Sequence, residues 1–382
     1  MRIAILAHST NPRGGVVHAL ELGDALARLG HDVAVHAPDP TGRGFGRPTL
    51  CRTVCVAAHP APSGLAALIR QRTAEYVRHF SAASADRFDI YHAQDGMSGN
   101  ALLTLRQMGA IAAVARTVHH VDGFADPEVS RVQGRGLREP DALFVVSRHW
   151  QAWLAATMHR TATLVGNGVD TNRFTPIQDA TDAALRQRLG IAPEDIVLLA
   201  IGGIEERKNT RLIVEAFADI RAAAGHVRLV IAGGASLLDH DAYRQSVLAR
   251  LATLGLPPDA VLQTGPLRHD EMPALYRLAT TLVFPSMREG FGLVILEAQA
   301  SGVPVVTSAI APFTEFVAPD SVAWCDPTDV ASIAAAIRTT FDPGARAALI
   351  AAGRRAAATF AWDAVARAHL PAYQSLLEPA HA

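Results

Sequence analysis

Short, continuous apolar runs recur along the chain, each followed by a glycine- or proline-bearing turn and then by apolar residues at helical spacing. The first run is Ile3 to Ala7. After Asn11-Pro12-Arg13-Gly14-Gly15, residues Val16, Ala19, Leu20, Leu22, Leu26 and Leu29 mark one helix face that ends at Gly30, and a second strand follows over 31–37. Uninterrupted apolar strands are typical of parallel sheets covered by helices on both faces. A Pro- and Gly-rich stretch over 38–62 breaks the rhythm, which resumes as helix 64–80, strand 88–92, helix 97–108, strand 111–118 and strand 142–146. A second series has strands at 196–201, 227–232, 261–263 and 281–284, with helices at 243–254, 329–340, 344–360 and 362–377.

A chain of 382 residues exceeds one compact core. The turn-forming stretch Gly166-Asn167-Gly168-Val169-Asp170 lies between the two series and marks a boundary. The expected class is α/β, with two Rossmann-like doubly wound domains: 1–168 and 169–360, with 361–382 an amphipathic closing helix.

The most informative stretch runs from Pro285 to Ala298. A strand end, a turn bearing Gly290 and Gly292, and a helix start together make an anion cradle. The first backbone N–H groups of a helix have no intrahelical partner and sit at the positive end of its dipole, so a diphosphate is held there without a basic side chain. Glu289 lies before the helix and Glu297 about one and a half turns in, at a rise of roughly 1.5 Å per residue. The two carboxylates can reach different hydroxyl-rich parts of one elongated ligand, which describes a nucleotide sugar. The spacing alone also fits an ordinary pair of surface glutamates on a strand-to-helix turn.

The block Glu289-Gly290-Phe291-Gly292-Leu293 with Glu297, followed by Ser301-Gly302-Val303-Pro304, resembles the retaining nucleotide-sugar glycosyltransferases of family four, which have the GT-B fold. The resemblance implies that Glu289 holds the transferred sugar, that Glu297 holds the ribose, and that Gly290, Phe291, Gly292 and Leu293 line the donor. It also implies retention at the anomeric carbon, no metal and no other cofactor, and a last helix that crosses back onto the first domain. The opening residues and the stretch from Thr117 to Pro127 resemble a bacterial subgroup whose acceptor is unidentified.

Three further stretches fit this picture. Gly202-Gly203 with Arg207-Lys208 at a helix start is a second diphosphate cradle, now with formal positive charge, and Asn209 or Thr210 is placed to cap that helix. Lys208 is the only lysine of the chain. A compact, rotatable ammonium suits a crowded phosphate site where a planar guanidinium would not fit. Gly14 and Gly15 follow the first strand, where such sheets bind ligands, although the dinucleotide fingerprint is incomplete. His119 lies just past a buried strand in the T-x-H placement that, by resemblance, contacts the transferred sugar, while His120 points the other way. Leu267 and Arg268 fall in a loop that in the family meets the nucleotide base. On position alone, Asp95 and Ser147, after their strands, are expected to face the cleft, Asp95 on the acceptor side. Asp239-His240-Asp241 spells D-x-D but reads better as a helix cap. His119, His120 and Asp122 converge poorly for a metal.

Composition adds exclusions. With 49% hydrophobic and 19% charged residues and a formal net charge of −1, nothing suggests a nucleic-acid partner. Cys51, Cys55 and Cys325 read as small buried hydrophobes in a reducing compartment. The start of the chain lacks a leader pattern and no segment reaches the roughly 20 apolar residues of a membrane span, so a cytoplasmic protein is expected. The helix over 64–80 carries Arg70, Arg72 and Arg78, a solvated face that could make weak peripheral membrane contact. Oligomeric state is not legible. Rival readings are a nucleotide-sugar epimerase on the same fold and a nucleotide-sugar-binding protein without turnover, while a nicotinamide dehydrogenase is disfavoured by the missing fingerprint.

Overall fold

A computed structural model describes residues 1–83, 86–234 and 241–378. The chain divides into two compact units, Met1–Gly168 with Ala361–Ala382, and Val169–Phe360.

In the first unit the elements run β1 (Arg2–Leu6), α1 (Gly14–Arg28), β2 (Asp32–Asp39), β3 (Arg52–Ala57), α2 (Leu65–Ser81), β4 (Ile90–Ala93), α3 (Gly96–Gln107), β5 (Ala115–Val118), α4 (Pro127–Arg138), β6 (Ala142–Val145), α5 (Arg148–Met158) and β7 (Thr163–Leu164). Among the described residues these strands form one parallel sheet in the order β3-β2-β1-β4-β5-β6-β7. Every residue of β4, β5 and Ile3 to Leu6 of β1 is buried, as continuous apolar strands require.

The second unit contains α6 (Ala180–Arg188), β8 (Ile196–Ile201), α7 (Thr210–Ala224), β9 (Val227–Ala232), α8 (Asp241–Thr253), β10 (Val261–Gly265), α9 (Met272–Leu278), β11 (Thr281–Phe284), α10 (Leu293–Ala300), β12 (Val305–Ser308), α11 (Phe313–Phe316), β13 (Ala323–Cys325), α12 (Val330–Thr339) and α13 (Pro343–Ala357). Its parallel sheet runs β10-β9-β8-β11-β12-β13. Ile213, Phe217 and Ile220 of α7 and Ile333 and Ile337 of α12 cover one face in a single apolar cluster.

The last helix, α14 (Trp362–Leu377), belongs to the first unit. Asp363 pairs with Arg28 of α1 at 2.9 Å, and buried His369 and Tyr373 meet Phe144 of β6 and His92 of β4.

Several expectations change. The strand anticipated over 111–118 shortens to β5, because the Val114 N–H donates to the Asp141 carboxylate (2.8 Å) and its carbonyl accepts from Asp141 N–H, leaving no ladder partner there. Cys51 and Cys325 are buried, but Cys55 is exposed, since β3 is the edge strand. Arg72 is not on a solvated face: it is buried and donates to Glu75 (2.5 Å) and the His59 carbonyl. Of the D-x-D residues, Asp241 begins α8, and Asp239 and His240 lie outside the described residues. Among the described residues no helix is long and apolar enough to cross a membrane.

Candidate active site

Strand order reverses between β1 and β4 in the first unit and between β8 and β11 in the second. At such switch points the loops leaving the carboxyl ends diverge and open a crevice where ligands bind. The glycine- and charge-bearing motifs lie on those loops, while His119 and Leu267 follow the neighbouring strands β5 and β10.

In the second unit, the loop after β8 carries Gly202, Gly203 and the 3-10 turn Glu206–Lys208, and the loop after β11 carries Pro285 to Gly292. They are tied by the Met287 N–H donating to the Arg207 carbonyl at 2.9 Å. Asn209, expected as a cap, has left-handed backbone (φ 60°) and makes no side-chain cap bond. Its amide instead donates to the carbonyls of Pro285 (3.1 Å) and Pro327 (2.6 Å), bracing the two loops.

Glu289 is met by both cations: Lys208 Nζ at 2.6 Å and Arg207 Nη1 at 2.8 Å, both on Oε1. Arg207 also pairs with buried Glu205 at 2.9 Å, a residue to which the sequence reading gave no role. Burial pushes the Lys208 ammonium below its ordinary value, and Glu289 opposes that shift. The ammonium lies 4.4 Å from the centre of the Phe284 ring, and a Cβ on Gly202 would stand 2.7 Å from Lys208 Cε. Gly203 and Gly233 have φ of 76° and 127°, and a Cβ on Gly203 would lie 2.9 Å from the Gly234 carbonyl oxygen. Glycine therefore lets the loops after β8 and β9 touch through their backbones.

Gly292, with φ 105°, is the N-cap of α10, and a Cβ there would meet Phe313 at 2.7 Å. Gly290 precedes it, half-buried, and Leu293 opens the helix. The Phe291 ring stacks on Phe316 at 4.0 Å and is buried, so it offers a ligand its backbone only. One turn into α10, the Glu297 carboxylate accepts from the buried Tyr276 hydroxyl of α9 at 2.5 Å. No local pattern marked Tyr276, which lies 21 residues from its partner. Leu267 lies half-buried in the loop after β10.

In the first unit, His119 follows β5 and its Nε2 meets Gln94 Oε1 at 3.0 Å. Its ring lies edge-on to His18 of α1, 4.8 Å between centres, and His18 Nδ1 is held by Asn167 Oδ1 at 2.7 Å. A Cβ on Gly15 would come to 3.5 Å of His119, whereas nothing lies within 4 Å of one on Gly14. Burial first, then His18 and His120, hold the His119 pKa well below its ordinary value, so the ring is neutral at pH 7. With Nε2 donating to Gln94, Nδ1 is left as an acceptor. His120 turns away and pairs with Asp122 at 2.9 Å. Asp95 and Ser147 are helix caps: Asp95 accepts from Met97 and Ser98 N–H, and Ser147 from Trp150 N–H. Gln94 and His18 escaped sequence reasoning, the first beside the more conspicuous Asp95, the second lost among 16 histidines.

Known proteins identify the family of the chain. Residues 12–173 match the family model described as Glycosyltransferase Family 4, and residues 181–356 the one described as Glycosyl transferases group 1. A D-inositol 3-phosphate glycosyltransferase of Xylanimonas cellulosilytica is 30% identical, over 97% of this chain and 96% of its own. Among solved structures, sucrose-phosphate synthase from Thermosynechococcus elongatus superposes with a TM-score of 0.80 at 23% identity, covering 98% of this chain and 99% of that one. HepE of Anabaena in complex with UDP-glucose does so with a TM-score of 0.79 at 19% identity, covering 98% and 100%. The chain is therefore a glycosyltransferase of the GT-B fold and belongs to family four.

Proposed function

We propose that this glycosyltransferase moves a sugar from a nucleotide-diphosphate donor, with retention and without a metal, the second unit holding the donor and the first the acceptor. The observation that carries the reading is Glu289 bridging Lys208 and Arg207 beside the start of α10, at the switch point of the second sheet. The bridge gathers two cations against the loop that leads into α10, where a diphosphate would gain from the cations and from the helix N-terminus. An arriving diphosphate replaces Glu289 as counter-charge, and the released carboxylate accepts from hydroxyls of the sugar. Glu297, oriented by Tyr276, accepts from the ribose diol. Support for this class of donor comes from the UDP-glucose held by the HepE fold.

For the chemical step, the leaving diphosphate takes the acceptor proton as the acceptor oxygen bonds the anomeric carbon on the face that the diphosphate leaves. Lys208, Arg207 and the α10 N-terminus stabilise the negative charge developing on the leaving group. His119 is neutral and accepts through Nδ1 from a substrate hydroxyl. The test is a thermal-shift panel of UDP-, GDP-, ADP- and TDP-sugars on wild type, Lys208→Ala and Glu297→Ala. A matching donor stabilises the wild type by about 2.7 kcal/mol at 100 times its dissociation constant and neither variant. No shift with any donor removes the donor assignment, and a trapped glycosyl adduct on Glu289 removes the front-face mechanism. Product analysis separates transfer from epimerisation.

A further inference from the structure

Arg116 of β5 is 5% exposed, and its Nε and Nη1 have no hydrogen-bond partner among the described residues. Strand alternation sends Thr117 to His92 on one face of the sheet (2.8 Å) and Arg116 to α3 and α4 on the other. There the guanidinium lies in a slot walled by glycine. A Cβ on Gly136 of α4 would stand 2.2 Å from Nη1, one on Gly99 of α3 would stand 3.3 Å from Cδ, and one on Gly96 would stand 3.7 Å from Nη2. Gly96 and Gly99 form the first turn of α3, so the cation lies along the positive end of that helix.

Burial pushes the guanidinium down to about 10, with Asp95 opposing, and it stays charged at neutral pH. Asp95 is not its bonded counter-ion. The carboxylate accepts from Met97 N–H, Ser98 N–H and the Ser98 hydroxyl, at 2.8, 2.9 and 2.9 Å. Near the same carboxyl ends the pKa values of His8 and His119 are both lowered, first by burial, with Arg13 adding to the effect on His8 against Asp95 and Arg116 adding to it on His119, so neither ring adds an anion or a fixed charge there. A buried cation whose donors are unmet is strongly unfavourable unless an anion completes it. Water would meet the donors without offsetting the charge.

We propose that the first unit takes a ligand bearing a compact oxyanion, a phosphate or carboxylate, that accepts from the Arg116 guanidinium at the first turn of α3. This rests on the first unit being the acceptor side, and makes the acceptor an anionic molecule. The oxyanion is compact because the glycine walls admit one guanidinium and little beside it.

The test titrates inorganic phosphate and acetate, at fixed ionic strength, into the full chain as wild type, Arg116→Gln, Lys208→Ala and the double variant. Phosphate can also occupy the donor cradle, and the Lys208→Ala background isolates the second site. The expected result is a phosphate or acetate affinity at least tenfold weaker on Arg116→Gln in the Lys208→Ala background. Response to phosphate alone marks a phosphoryl acceptor, and response to acetate a carboxylate. Affinity unchanged by Arg116→Gln overturns the proposal. Where Arg116→Gln does not fold, wild-type crystals soaked in selenate decide: an anomalous peak within hydrogen-bond distance of the guanidinium supports the site, and water alone overturns it. Failure of the donor reading shows separately, as nucleotide binding that Lys208→Ala leaves intact.

Discussion

Lys208 Nζ and Glu289 Oε1 lie 2.6 Å apart although the residues come from loops after different strands, and Arg207 shares the same oxygen at 2.8 Å. In the proposed function the pair joins the cation that stabilises the leaving diphosphate to the carboxylate that yields to it. Losing one such preorganised donor to developing charge reduces kcat by about 10²–10³. Lys208→Ala is expected to fall in that range with the matching donor. Lys208→Arg is expected to restore little, because the stem runs over Gly202 and the ammonium sits 4.4 Å from the Phe284 ring centre, leaving no width for a guanidinium fork. Steady-state kinetics check this, and a Lys208→Arg variant at the wild-type rate would contradict the crowded phosphate site.

Tyr276→Phe separates orientation from charge at Glu297. The variant keeps the carboxylate and removes the 2.5 Å bond that fixes it. A hydrogen bond to a charged group contributes about 1.5–3 kcal/mol, so the KM for the donor is expected to rise about tenfold or more with kcat nearly unchanged. Equal loss in kcat would place Glu297 in the transition state instead.

Legibility in sequence followed locality. The two cradles were readable because glycines, charges and a helix start fall within eight or nine residues in each, as from Gly202 to Asn209. Residues brought to the candidate site by distant partners were not. Gln94 meets His119 across 25 positions and Tyr276 meets Glu297 across 21, and neither Gln nor Tyr carries a signal by itself. Asp95 and Ser147 show a second kind of ambiguity: a polar residue after a buried strand is placed equally well to face a ligand or to cap the next helix, and both cap. Cys55 misled because periodicity identifies a strand but not its place at the sheet edge.

The glycines that follow β1 and β8 divide by what surrounds them. Gly14→Ala has open space and no positive φ, so stability is expected within about 0.5 kcal/mol of wild type. Gly203→Ala combines φ 76° with a Cβ 2.9 Å from the Gly234 oxygen, and is expected to destabilise by about 1–3 kcal/mol. Thermal melts check both. Loss of transfer rate in a fully stable Gly14→Ala protein identifies that glycine as a point of ligand approach.

Acid lability follows from two buried histidines, His18 of α1 and His369 of α14. His18 and His369 are fully buried with ring centres 6.3 Å apart, and burial holds them at about 4 and about 3. Both pKa values are depressed below the unfolded value near 6.5, so the unfolded chain binds protons first. Stability is therefore fully present above about pH 6.5 and falls as pH drops toward the folded values, with a limiting slope of about 1.4 kcal/mol per pH unit for each group. His369 faces His18, His92, Tyr373 and Phe144. Replacing it by Phe removes one titrating ring while keeping an aromatic against Phe144. Urea unfolding at pH 7 and pH 5 is expected to show a smaller loss for His369→Phe than for wild type, whatever its stability at pH 7. An identical loss would mean that His369 protonates as readily in the folded protein as in the unfolded chain, and that its burial places no load on the docking of α14 within the first unit.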